Sequence, residues 1–270
     1  MARCAWNKAH REGKMGRTMD LNCDLGESLG VWRLGEDEDV LPVITSANLA
    51  CGMHAGDPME MTRAVRRCRA HGVAVGAHPG YPDLLGFGRR RIPMRPEEVT
   101  AYCLYQIGAL EAIARAEGVV IQHIKPHGAL YNVAAQDEAV ARAVVEAVQQ
   151  AYPDRILVAL SGSVLEHVAR AAGLRVAREA FCDRAYRRDG TLVPREDPGA
   201  LLLEPFEVAS RAVRIAYGEP IETVDGGQLV VEADTLCIHG DTPGAGQRAR
   251  AVRAALEEAH IAVLPMGEWL

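Results

Sequence analysis

In Gln122-His123-Ile124-Lys125-Pro126-His127, two imidazoles and an ammonium occupy alternate positions. On an extended chain His123, Lys125 and His127 project to one side and Ile124 to the other. Like charges so close push the histidines toward neutral and lower the lysine pKa, the states that ligands and proton carriers need. Asp20-Leu21-Asn22-Cys23-Asp24 repeats the pattern with oxygen groups: Asp20, Asn22 and Asp24 share one face, and Gly26 and Glu27 follow. Burying three such groups is costly unless they bind something. An edge strand with one wet face is the plainer alternative.

Asn48 and His54 fall on one face of a third stretch, with small Ala50 and Gly52 between them. Small residues there let another group approach the backbone. His54 fits a metal ligand, a general base, or a loop histidine bonded to a carbonyl. His78 ends a strand-like run and enters Pro79-Gly80-Tyr81-Pro82, a rigid loop. Arg89, in the run Arg89-Arg90-Arg91, suits an anionic group, although arginine runs more often form a solvated face. Asp183-Arg184-Ala185-Tyr186 is a further polar cluster, and His239-Gly240-Asp241-Thr242-Pro243-Gly244 leads into a helix start whose free N–H groups suit a carboxylate or phosphate.

Asp24, His54, His78, His123 and His127 supply the oxygen and nitrogen ligands of a hydrolytic divalent site, with Asp24, His54 and His78 the first candidates, while Lys125 would repel a cation unless turned aside. Metal-free acid–base work by the same residues is equally compatible. No Walker A loop, G-x-G-x-x-G fingerprint, G-x-S-x-G elbow or H-E-x-x-H motif is present. The seven cysteines contain no C-x-x-C pair, which suits reduced thiols in a cytosol. Alternation points Cys23, Cys51 and Cys237 away from their polar neighbours, so no cysteine nucleophile is expected.

These clusters follow short apolar runs that read as strands: Asp20–Asp24, Ile44–Ala50, Val73–Ala77, Val119–Ile124, Ile156–Leu160, Arg175–Glu179, Thr235–His239 and Ile261–Leu264. Helical stripes separate them, among them Met61-Ala64-Val65-Cys68, Val99-Cys103-Ile107-Leu110, Val140-Val144-Val148 and Val252-Leu256-Ala259. Asp57-Pro58-Met59-Glu60 offers an N-cap, a first-turn proline and a capping-box glutamate, and Arg95-Pro96 and Thr242-Pro243 place proline alike. Gly218–Gly227 reads as a loop or small hairpin. Such alternation predicts a parallel β/α barrel, with an open doubly wound sheet as runner-up. Polar residues gather after the strands, where barrel active sites are built.

With 270 residues, 49% hydrophobic and 24% charged, the chain suits one globular domain over 19–270. It has no eighteen-residue apolar run, so no membrane span is expected. A net charge of −6 and 5% aromatics give no case for nucleic acid. Residues 1–18 carry five basic side chains against Glu12 and no apolar stretch, and are expected to be a disordered or over-annotated extension.

Six motifs, in order, closely resemble the LamB/YcsF family: DLNCDLGE (Asp20–Glu27), ANLACGMHAGDP (Ala47–Pro58), VGAHPGYPDLLGFGRR (Val75–Arg90), HIKPHGALYN (His123–Asn132), EAFCDRAYRRDGTLVPR (Glu179–Arg195) and IHGDTPGA (Ile238–Ala245). Met53 stands where the family commonly has phenylalanine. The resemblance implies a distorted, roughly seven-stranded (β/α) barrel of the glycoside hydrolase/deacetylase kind. It also implies the role of the A subunit of a 5-oxoprolinase, which cleaves 5-oxo-L-proline (pyroglutamate) to L-glutamate with ATP hydrolysis, in a cytoplasmic complex with subunits B and C. Whether ATP sits on this chain or on a partner is left open.

A lactam is a stable amide, so ATP must activate it. Water would then need a base, Asp24 or His54 with His78 close by. Lys125, with His123 and His127, would stabilise developing negative charge or a phosphate. The Gly240–Ala245 turn with Arg89 or Arg184 would hold the substrate carboxylate. Asn22, Asn48, Tyr131, His239 and Asp241 are expected to complete the substrate site. The competing readings are a metal-dependent deacetylase or hydrolase on the same barrel, and a non-catalytic subunit that binds substrate.

Overall fold

A computed structural model describes residues 17–270. The expected extension over 1–18 lies outside the described residues up to position 16. Arg17 and Thr18 already belong to the fold: Arg17 donates to the Ala216 carbonyl at 2.7 Å, and Thr18 opens the first strand.

Seven parallel strands close into a barrel: β1 (Thr18–Leu25), β2 (Ser46–Ala50), β3 (Ala74–His78), β4 (Ile121–Ile124), β5 (Ile156–Leu160), β6 (Arg175–Phe181) and β9 (Thr235–Ile238). Closure is direct, because β9 pairs with both β6 and β1. The runner-up open sheet is thereby set aside. The Gly218–Gly227 excursion is a hairpin of β7 (Ile221–Glu222) and β8 (Gln228–Leu229). β10 (Ala262–Val263) pairs only with the first two residues of β1.

The helices α2 (Pro58–His71), α3 (Pro96–Ala116), α5 (Glu138–Ala151) and α8 (Ala245–Glu258) carry the expected stripes. Val65, Ile107, Leu110, Val148 and Leu256 pack on the outward strand residues Leu21, Leu49, Val75, Ile124 and Leu236. Four further helices lie outside those stripes: α1 (Asp37–Val40), α4 (Gly128–Ala134), α6 (Val164–Ala171) and α7 (Pro205–Tyr217). Asp57 caps α2 through the Met59 and Glu60 N–H groups, but Glu60 forms no capping box and turns instead to Arg63 at 2.6 Å. Helix α8 begins at Ala245, later than Thr242-Pro243 suggests.

Alternation puts one side chain in two inside the barrel. At the base, Met266 of the C-terminal 3-10 turn packs on Ile156, Val158 and Ala177, and its N–H donates to Asp20 at 3.3 Å. The C-terminal segment therefore plugs that end. Halfway up, the β3–β4 ladder skips Gln122 and sets Gly76 opposite His123. A Cβ on Gly76 would lie 2.0 Å from His123 Nε2. Gly76→Ala is therefore expected to cost about 1–3 kcal/mol of unfolding free energy through overpacking. Chemical denaturation reads this directly, and unaltered stability would show the ring to be free to move.

Candidate active site

The barrel interior is built in polar tiers. Lowest is Asp20, which accepts from Ser46 and Thr235 at 2.5 Å and from Thr45 at 2.8 Å. Burial pushes its pKa up to about 6, with those hydroxyls pulling the other way.

The middle tier centres on Lys125, which is 2% exposed. Its Nζ lies 2.8 Å from Glu179 Oε1, 3.1 Å from Asp24 Oδ1, 3.2 Å from Cys237 Sγ and 3.3 Å from Asn22 Oδ1. Burial alone would strip the proton, but Asp24, Cys237 and Glu179 hold the lysine pKa well above the usual amine value. The expected lowering is thus reversed, because the carboxylates that outweigh the flanking imidazoles come from other strands. Cys237 also corrects an expectation: it lines the interior beside Asn22, its register partner, on the same face as Thr235.

Around Lys125 the amide orientations are forced. Lysine only donates, so Asn22 presents Oδ1 to it and Nδ2 to Glu179 and Thr235. A carboxylate only accepts, so Asn48 donates to Asp24 at 2.8 Å and accepts on Oδ1 from His123 Nε2–H at 2.8 Å. Burial, then Lys125, lowers the His123 pKa to about 3. An unfolded histidine protonates near 6.5, so the folded state loses stability as pH falls from about 6.5 toward 3. His123→Gln should remove that slope: the wild-type advantage shrinks by about 2 kcal/mol between pH 7 and 5, as urea titrations at both pH values would record.

The top tier forms the floor of an open pocket of about 340 Å³. Asp24, Glu27 and His127 reach it, and Arg89, Arg184 and Arg195 stand in its wall. Asp24 Oδ1 accepts from Asn48 and Lys125 and lies 3.4 Å from His78 Nε2. Burial opposes ionisation, yet His78 and Lys125 hold the Asp24 pKa well below the usual range. Glu27 behaves oppositely: burial, then the charge of Asp24, pushes it well up. His78 Nδ1–H donates to the Lys125 carbonyl at 2.7 Å, and His127 Nε2–H to the Phe87 carbonyl at 2.8 Å. His54 stacks on His127 with ring centroids 3.6 Å apart. Burial, then its two histidine neighbours, drives the His54 pKa well down.

The structure thus brings Asp24, His54, His78 and His127 together, with Lys125, His123, Asn22 and Asn48 beneath them. Of these eight, Asp24 and His127 line the pocket, and the other six, His54 and His78 included, lie beneath or behind its surface. Tyr131 is also buried, its ring edge-on to Phe181 at 5.9 Å. Arg184 is 6% exposed, donates to the Val193 carbonyl at 2.6 Å, and has no ion-pair partner among the described residues. His239 is bound to Asp183 through its ring and its N–H. Asp241 is held by Arg195 at 2.6 Å and by Arg89. The Gly240–Ala245 turn is less available than its glycines suggest, because Glu36 takes the N–H groups of Gly244 and Gly246. Of the five candidate metal ligands, Asp24, His78 and His127 cluster, Glu27 joins them, and His54 and His123 fall outside the group.

Glu27, Glu179 and Arg195 join the site without having stood out among the sequence candidates. Alternation from Arg175 signals the inward Glu179, whereas nothing local marks Arg195, which sits on the long segment after β6.

A closed parallel barrel with an acid–imidazole floor and an arginine wall defines a (β/α)-barrel of hydrolytic character. Residues 19–270 match the LamB/YcsF family, and the chain belongs to it. It is 55% identical over 248 residues to the A subunit of 5-oxoprolinase from Syntrophobacter fumaroxidans, covering 92% of this chain and 98% of that one. With the same-named protein of Pyrococcus furiosus it shares 50% over 252 residues, 93% and 99% of the two chains. A crystal structure of a lactam utilization protein from Thermus thermophilus superposes with a TM-score of 0.87 at 53% identity, covering 92% and 99% of the two chains. Among the described residues no helix is long and apolar enough to cross a membrane.

Proposed function

We propose that this chain is the A subunit of a 5-oxoprolinase, opening 5-oxo-L-proline to L-glutamate at the expense of ATP, in a cytoplasmic complex with subunits B and C. The observation that carries the reading is an ionised Asp24 on the pocket floor and, in the same pocket's wall, a buried Arg184 with no ion-pair partner among the described residues. A lactam bearing one carboxylate needs a base at its carbonyl carbon and a cation at its other end.

Phosphorylation of the lactam oxygen by ATP makes the carbonyl carbon electrophilic. Water adds there, the ring C–N bond breaks as the nitrogen takes up a proton, and a second water releases phosphate from the acyl phosphate. Asp24 suits the proton-accepting role because Oδ1 carries all its hydrogen bonds, leaving Oδ2 to the pocket. Lys125, Glu179, Asn22 and Asn48 fix that carboxylate and do not reach the substrate. Arg184, with Arg195 near it, binds the substrate carboxylate.

The test is glutamate formation from 5-oxo-L-proline and ATP, by this chain alone and with subunits B and C. Turnover only by the complex is expected, whereas ATP-independent hydrolysis by the chain alone would support a stand-alone hydrolase. Arg184→Gln should raise KM about 10–100-fold with a much smaller change in kcat. Its preference for 5-oxoproline over 2-pyrrolidinone, which lacks the carboxylate, should collapse. An undiminished preference would remove Arg184 from the substrate site.

A further inference from the structure

The two imidazoles at the top of the barrel face each other in a way that neutral rings cannot sustain. His78 Nδ1 and His127 Nε2 are each committed as N–H donors to backbone carbonyls, at 2.7 and 2.8 Å. Their remaining nitrogens, His78 Nε2 and His127 Nδ1, are therefore both lone-pair acceptors, yet they stand 3.0 Å apart. Something positive must lie between them. The surrounding groups fit a cation there: Asp24 and Glu179 share the ammonium of Lys125, while Glu27 lies with Asp24, His78 and His127. Neither nitrogen of the buried His54 finds a hydrogen-bond partner among the described residues, and its Nε2 lies 3.7 Å from Glu27 Oε1.

We propose that His78 Nε2, His127 Nδ1 and Glu27 bind one divalent first-row transition ion, with Asp24 beside it to take a proton from a bound water. Donors about 2.1 Å from an ion lie about 3.0 Å apart at right angles and about 3.4 Å apart at the tetrahedral angle. The donor atoms of Asp24, Glu27, His78 and His127 all fall within 4.8 Å of one another, and His127 Nδ1 is 3.9 Å from Glu27 Oε1. Two histidines and a glutamate leave a coordination position open, and Glu27, His127 and the neighbouring Asp24 line the pocket. The backbone carbonyls behind both rings fix the tautomers a metal requires. His54 stands where an Nε2–H would orient Glu27. Lys125 offers no objection, because its charge is spent on Asp24 and Glu179 a tier below. The chemistry assigned to the site rests on the lactam-opening reading, whereas the binding does not.

The test titrates the full chain, after dialysis against chelator, with Co²⁺, reading visible d–d absorption and calorimetric stoichiometry, with Zn²⁺ as competitor. One ion per chain is expected, and Zn²⁺ should displace it. His127→Gln and Glu27→Gln should each weaken binding at least tenfold, while His71→Ala at the exposed end of α2 changes nothing. Far-UV circular dichroism confirms that each variant is folded. Absence of one-to-one binding, or binding indifferent to both variants in folded protein, would overturn the proposal. So would imidazole nitrogen shifts reporting a proton shared by His78 and His127 in Co²⁺- or Zn²⁺-saturated solution. A chain that binds Co²⁺ within a complex that forms no glutamate keeps the metal site and removes the lactam reading. Full turnover by a metal-stripped complex keeps the lactam reading and overturns the part assigned to the ion and Asp24 in supplying the water.

Discussion

Lys125→Met is expected to destabilise the fold by about 3–5 kcal/mol, the usual cost of leaving a buried charge without its partner. The ammonium is the only cation within 4 Å of Glu179 among the described residues, and it also anchors Asp24 and Asn22. Methionine fills similar space but leaves two carboxylates facing each other across the barrel. Adding Glu179→Gln in the same chain removes one of those charges and should restore part of the lost stability. Turnover by the assembled complex should stay low in both, because Asp24 loses the cation that keeps it ionised. Denaturant unfolding separates the two effects. If Lys125→Met unfolds at the wild-type midpoint, the ammonium does not hold the interior together.

Asp24→Asn should leave the barrel folded, since the amide oxygen still accepts from Asn48 and Lys125, yet kcat should fall by at least about 10²-fold. The loss is confined to kcat if Asp24 acts on the water and not on substrate binding, so KM for 5-oxo-L-proline should move little. A variant complex that keeps more than half its turnover would dismiss Asp24 as the base. Glu179→Gln offers the contrast: it lies below the pocket and acts through Lys125 and Asn22, so its effect on kcat should be smaller.

Much of this site is legible in the sequence because the barrel imposes strict alternation. Once β1 is a strand, Asp20, Asn22 and Asp24 must share a face, and closure turns that face inward. The same rule places His123 and Lys125. What alternation along one strand does not reveal is the partner on another. Lys125 reads as a lysine crowded by imidazoles until β6 and β9 bring Glu179 and Cys237 against it, and those partners reverse its expected pKa direction. Alternation itself sets Cys237 opposite Ile238 and on one face with His239, so the thiol turns inward and the expectation that it points away from its polar neighbours fails. The helix start after β9 is another long-range case, since the residue that satisfies its N–H groups, Glu36, lies 208 positions before Gly244. Arg195 reaches Asp241 from a segment with no periodicity of its own. Loops of that kind carry chemistry that only the folded chain reveals.

The plug formed by Met266 against Asp20, Ile156 and Val158 has a kinetic corollary. A tunnel would let reactants stream through from pole to pole, but a stoppered barrel makes arrivals and departures queue at one doorway. Glutamate must leave by the way the lactam entered. Any protein seated over that rim has to withdraw, or offer a passage of its own, once in every cycle.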